Sequence, residues 1–128
     1  MTGIQPELWV DRPREAIAFY QAAFGATVVH HVGEGEDIVA QLAVGGAYFW
    51  VANTDPERGR FSAAAIGGGT SRTLLVTGDP DNVISAALAA GATVTSPAGD
   101  EHGWRLGRIT DPFGHHWEIG IPIGPWPP

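Results

Sequence analysis

Apolar positions along the chain switch between two periods, and the switch recurs. From Pro13 onward, Ile17, Tyr20 and Phe24 fall three and four residues apart, on one face of a helix. Asp11 stands where an N-cap would, Pro13 suits the first turn, and Gly25 suits the left-handed position that ends a helix. The second helix starts at Asp79-Pro80, carries Ile84 and Leu88 on one face with Val83 and Ala87 beside them, and ends at Gly91. Phe24-Gly25-Ala26-Thr27-Val28 thus returns as Ala90-Gly91-Ala92-Thr93-Val94. A fixed motif recurring at a helix end marks an internal repeat.

Strand-like segments flank both helices. Ile4 to Val10 precedes the first, and Thr27–Val32, Ile38–Val44 and Ala47–Ala52 follow it, with Gly45-Gly46 as a hairpin turn. Arg72 to Thr77 precedes the second, and Thr93–Ser96, Trp104–Thr110 and His115–Ile121 follow it. Asp111-Pro112-Phe113-Gly114 makes the last turn. Each half reads β-α-β-β-β. The expectation is one α+β domain over residues 1–128: module one about 1–53, a connecting segment 54–71, module two about 72–122, and a Pro-rich tail 123–128. The stretch from Asn53 to Ser71 shows no clear period and reads as a linker or a lid.

Composition narrows the function classes. With 44% hydrophobic and 16% charged residues among 128, a packed core is within reach. No apolar run is long enough to span a bilayer and no signal peptide is evident, so a cytoplasmic protein without a membrane partner is expected. A formal charge of -7 argues against nucleic acid. Cysteine is absent, which removes disulfides, thiolate metal sites and cysteine nucleophiles. Gly67-Gly68-Gly69 lacks the lysine of a phosphate-binding loop, and no serine sits in a nucleophile-elbow context.

The chain resembles the glyoxalase/bleomycin-resistance group, the vicinal oxygen chelate superfamily. The resemblance is carried by Ala18-Phe19-Tyr20, Phe24-Gly25-Ala26, Ala89-Ala90-Gly91-Ala92 and above all the run from Gly107 to Glu118. It implies paired βαβββ modules whose curved mixed sheets enclose a cavity, usually in a homodimer. It does not imply one activity, since the group includes isomerases, ring-cleaving dioxygenases, thiol transferases and antibiotic-binding proteins.

Metal-dependent members place up to four ligands on the first and last strands of the two modules. By motif, those positions fall here on Gln5, Trp50, Arg72 and Glu118. An indole offers no ring-plane lone pair, and a guanidinium is a cation with donors only. Arg72 is expected to pair with Glu118 instead. No cofactor and no metal are expected on this reading. Alternation along the strands adds Glu7, Trp9, Tyr48, Leu74 and His116 to the same faces, with Phe61 and Trp104 near enough to close over them. Aromatic walls with a few polar groups suit a flat, largely apolar ligand.

The leading expectation is therefore a non-catalytic protein that sequesters an antibiotic-like, aromatic small molecule and so confers drug resistance. The alternative is a metal-dependent lyase, isomerase or dioxygenase using Gln5, His116 and Glu118. A third reading is a cofactor-free enzyme with Glu7 or Glu118 as general base.

Overall fold

The computed structural model describes residues 1–128. The first module runs β1 (Glu7–Val10), α1 (Pro13–Phe24), β2 (Thr27–Val32), β3 (Val39–Val44) and β4 (Ala47–Asn53). After a short helix α2 (Ala63–Ile66), the second runs β5 (Arg72–Val76), α3 (Pro80–Ala89), β6 (Thr93–Glu101), β7 (Trp104–Thr110) and β8 (His116–Pro122). Each module is one four-stranded mixed sheet, ordered β1-β4-β3-β2 and β5-β8-β7-β6. The first strand of each module lies parallel to the last, with Glu7 beside Trp50 and Arg72 beside His116; the other pairs are antiparallel. This is the α+β fold of paired βαβββ modules that the repeat predicts.

Local chemistry accounts for most boundaries. Gly25 closes α1 at φ 67°, a conformation costly for any residue with a Cβ. Asp79 caps α3, its carboxylate accepting from the Asn82 N–H at 3.2 Å. At α1 the cap position is Arg12, not the expected Asp11, and it makes no side-chain cap bond, so Pro13 sets the start. α3 stops at a right-handed Ala90, one residue before Gly91.

Two segments depart from the sequence reading. The sequence reading ends β6 at Ser96, just before Pro97. The strand continues to Glu101 because β6 is a sheet edge and two register shifts absorb the irregularity. The connecting segment is not featureless: Asp55 bridges to Arg60, and Ser62 Oγ caps α2 by accepting from Ala65 N–H at 3.1 Å. Ser62 and Ala63 are buried. A four-residue helix is too short to reveal its period in sequence.

One face of each sheet packs on the helices to form a shared core. Leu8, Val10, Leu42, Phe49 and Val51 from the first module join Ile109, Trp117 and Ile119 from the second. Trp117 reaches across to α1, its ring 4.8 Å from Phe24 and 5.6 Å from Tyr20. Asp111, in the β7–β8 turn, is buried and accepts the Tyr20 hydroxyl, the Trp117 Nε1–H at 3.0 Å, and the Phe113 and His115 N–H groups at 2.9 and 3.0 Å. Burial first, and the Asp111 charge second, push the Tyr20 phenol well above its usual pKa. One carboxylate thus ties the modules together. The opposite face of each sheet, without helices, carries the candidate site.

Candidate ligand-binding site

Two polar groups sit on the open faces, one per sheet. On the first, Gln5 precedes β1 and its Oε1 accepts from Trp50 Nε1 at 2.8 Å and from Gln41 Nε2 at 3.0 Å. Gln41 on β3 lies opposite Trp50 on β4, and the His30 ring stands edge-on to Trp50 at 6.3 Å. Glu7 accepts the Trp9 Nε1–H at 2.7 Å, so these two candidates satisfy one another.

On the second sheet, Glu118 Oε2 meets two guanidiniums. Arg108 Nε donates to it at 2.9 Å, and Arg72 Nη2 stands 3.2 Å away, making the expected Arg72–Glu118 pair. Arg108 Nη2 also donates to Glu101 at 2.8 Å. Those two carboxylates, Glu101 foremost, raise the Arg108 pKa. Glu118 is mostly buried, its side chain 15% exposed, whereas Arg72 is 49% exposed. His116 Nδ1 pairs with Thr110 Oγ1 at 3.0 Å. His115 is held elsewhere: its Nε2 contacts the Trp9 carbonyl at 2.9 Å and its N–H donates to the Asp111 carboxylate at 3.0 Å.

Six of the eleven sequence candidates line two cavities. The larger, about 410 Å³, opens between the N-terminal segment, the β3–β4 turn and β5. Gln5, Tyr48 and Leu74 line it, with Phe24, Phe49 and Trp117 of the core behind. Tyr48 lies two residues from Trp50, and Leu74 two from Arg72, so the cavity touches the first polar group through Gln5 and approaches the second only through Leu74. The smaller, about 290 Å³, lies under the connecting segment and takes Trp9, Phe61, Ile66 and His116. Glu7, Trp50, Arg72, Glu118 and Trp104 line neither, and Trp104 packs edge-on against Trp126 of the tail at 5.4 Å.

Gln41 and Arg108 were not among the sequence candidates. Both were legible in principle. A two-residue turn at Gly45-Gly46 sets Val44 against Ala47 and hence Gln41 against Trp50, and the turn at Asp111–Gly114 sets Arg108 against Glu118.

The donor set does not fit a divalent metal. Such an ion needs several free lone pairs, yet Gln5 Oε1 already accepts two N–H groups and Glu118 Oε2 faces two guanidiniums. Trp50 and Arg72 present N–H groups only. Nowhere do three His, Asp or Glu side chains gather as a cation cage.

The model of the Glyoxalase/Bleomycin resistance protein/Dioxygenase superfamily matches residues 4–119. The chain belongs to this superfamily. It is 36% identical over 127 residues to an uncharacterised protein of Mycobacterium bovis, covering 94% of this chain and 84% of the relative. Among solved structures it is similar to an Arabidopsis thaliana gene product (28% identity, TM-score 0.71, 93% of this chain and 98% of that one). TioX from Micromonospora sp. ML1 is similar at 25% identity and TM-score 0.70, over 93% and 98% of the two chains. The fosfomycin resistance protein FosX of Listeria monocytogenes, complexed with Mn(II) and sulfate, shares the fold at 14% identity and TM-score 0.72, over 95% and 91%. Glyoxalase-superfamily membership spans bleomycin resistance proteins and dioxygenases, so it establishes fold and leaves the chemistry to the site. No helix is long and apolar enough to cross a membrane.

Proposed function

We propose that this superfamily member is a non-catalytic, cytoplasmic binding protein that sequesters a largely apolar, aromatic small molecule of antibiotic type. One observation carries the reading: the polar atoms at Gln5, Trp50, Arg72 and Glu118 engage each other. Indole and amide satisfy one another on one sheet; on the other, Arg108 donates to the Glu118 carboxylate and Arg72 forms an ion pair with it. Gln5 Oε1 and Glu118 Oε2 direct their lone pairs at N–H groups in place of a metal, no nucleophile is paired with an activating base, and Gln5 lines a cavity of about 410 Å³ with apolar walls. That volume falls in the range of small-molecule sites. Sequestration needs tight stoichiometric binding and no transition-state chemistry.

The protein acts as a homodimer in this reading. Tyr48, Leu74 and Val76 stand exposed on the helix-free faces, and a second copy covering them would desolvate the polar groups and close the cavity. The test is quenching of tryptophan emission by a panel of aromatic antibiotics, followed by recovery of the bound compound and elemental analysis of protein purified without chelator. Saturable quenching, unchanged compound and less than one divalent ion per chain are expected. Turnover of the compound, or one tightly held ion per chain, would favour the metal-dependent enzyme using Gln5, His116 and Glu118.

A further inference from the structure

Arg72 differs from its neighbour arginines in how little of its donor capacity is used. Arg108 donates to Glu118 and Glu101, and Arg105 donates bidentately to Asp81 and once more to Asp100. Arg72 makes no hydrogen bond. Its ion-pair partner is Glu118 Oε2, at 3.2 Å and out of line for an N–H donor. Glu118 is itself held by Arg108, so it fixes the place of the Arg72 guanidinium without occupying its fork. Arg72 and Arg108 are balanced in charge by Glu118 and Glu101, but both carboxylates are hydrogen-bonded to Arg108, which leaves the Arg72 N–H groups open.

An apolar strip leads away from that cation. Leu74 and Val76 follow Arg72 on the same face of β5, 44% and 55% exposed, and Leu74 forms part of the wall of the larger cavity beside Tyr48. A cationic fork at the end of an apolar strip is complementary to an apolar molecule with one oxyanion. The planar guanidinium matches the two oxygens of a carboxylate through two parallel N–H groups. A carboxylate also meets a local cation here on a chain whose net charge of -7 repels it elsewhere.

We infer that Arg72, two residues along β5 from the cavity-lining Leu74, is an oxyanion anchor at the edge of the cavity, and that the ligand is an aromatic acid whose carboxylate seats on Arg72 while its ring lies over Leu74 and Tyr48. This rests on the reading of the cavity as a small-molecule site. It adds the charge of the ligand and the residue that selects it.

The experiment is calorimetric titration of 2-naphthoate and of its neutral methyl ester into wild type, Arg72→Gln and Arg72→Lys. The acid should bind wild type at least about tenfold more tightly than the ester, a margin within the range for a charged hydrogen-bonded contact. Arg72→Gln should erase that preference and leave ester affinity unchanged, and Arg72→Lys should retain part of it. Added salt should weaken the acid and spare the ester. If the ester binds wild type as well as the acid does, the anchor is refuted while the cavity reading stands. If neither compound binds, both fall. Should Arg72→Gln fail to fold, the wild-type preference, its salt dependence and Arg72→Lys decide the matter, and a preference indifferent to salt overturns the proposal.

Discussion

The Trp50 indole donates to the Gln5 amide oxygen at 2.8 Å, joining the last strand of the first module to the segment that leads into its first strand. The bond turns two positions on the helix-free face into a closed donor–acceptor pair. It also fixes the indole plane beside His30 and Gln41, so an aromatic wall is preorganised before any ligand arrives.

Trp50→Phe should keep the wall and lose only the N–H donor. Stability should fall by about 1 kcal/mol, the usual net worth of one such bond, with ligand affinity nearly unchanged. Trp50→Ala should weaken an aromatic ligand by about tenfold or more, as truncation of a contacting aromatic does. Denaturant unfolding and calorimetry of the two variants check this.

Asp111 gathers four N–H or O–H donors in a buried place. Asp111→Ala should cost about 3–5 kcal/mol, since several buried donors lose their only acceptor and each unsatisfied group costs about 1–3 kcal/mol. Denaturant titration gives the value. A loss below about 1 kcal/mol would show that the modules hold together without this carboxylate.

Tyr20 gives a pH prediction with a clear sign. Its phenol titrates higher folded than unfolded, chiefly because burial disfavours the phenolate. Below the ordinary tyrosine value near 10 both states keep the proton, and the contribution is fully present. As pH rises above about 10 the unfolded chain releases its proton first, so stability should fall by up to about 1.4 kcal/mol per pH unit until the folded phenol titrates. All seven basic side chains are arginines, so no lysine titration overlaps this window. Urea midpoints measured across the alkaline range should show the fall in wild type and lose most of it in Tyr20→Phe.

The tail should matter for fluorescence and not for binding. Trp104 packs against Trp126, outside both cavities. Truncation after Pro122 should shift tryptophan emission by exposing Trp104 while ligand affinity stays within about twofold, a change of under 0.5 kcal/mol. A tenfold loss on truncation would place Trp104 at the ligand after all.

The fold was readable because the repeat is written in local chemistry. A positive-φ glycine ends one helix, an aspartate caps another, and strand alternation survives in both halves. The Arg72–Glu118 pair was readable for a different reason: charges on an inward face need partners, and Arg72 and Glu118 fall on the first and last strands of the same module. What escaped depended on long-range placement. Trp104 looked like a rim residue because its partner lies 22 positions on, in a tail with no period. Gln41 and Arg108 were missed because cross-strand opposition needs the hairpin register, which alternation within one strand does not supply. The division into two cavities follows from how β1 and β5 sit between the modules, a relation that no local pattern encodes.

The most direct test of a metal-free grip is calorimetric titration of an aromatic ligand into protein held in excess EDTA, repeated after dialysis into Mn(II) or Zn(II). Saturable binding in chelator, with the same affinity once either ion is supplied, is what paired side chains at Gln5, Trp50, Arg72 and Glu118 predict. Binding that emerges only on adding the ion would contradict it.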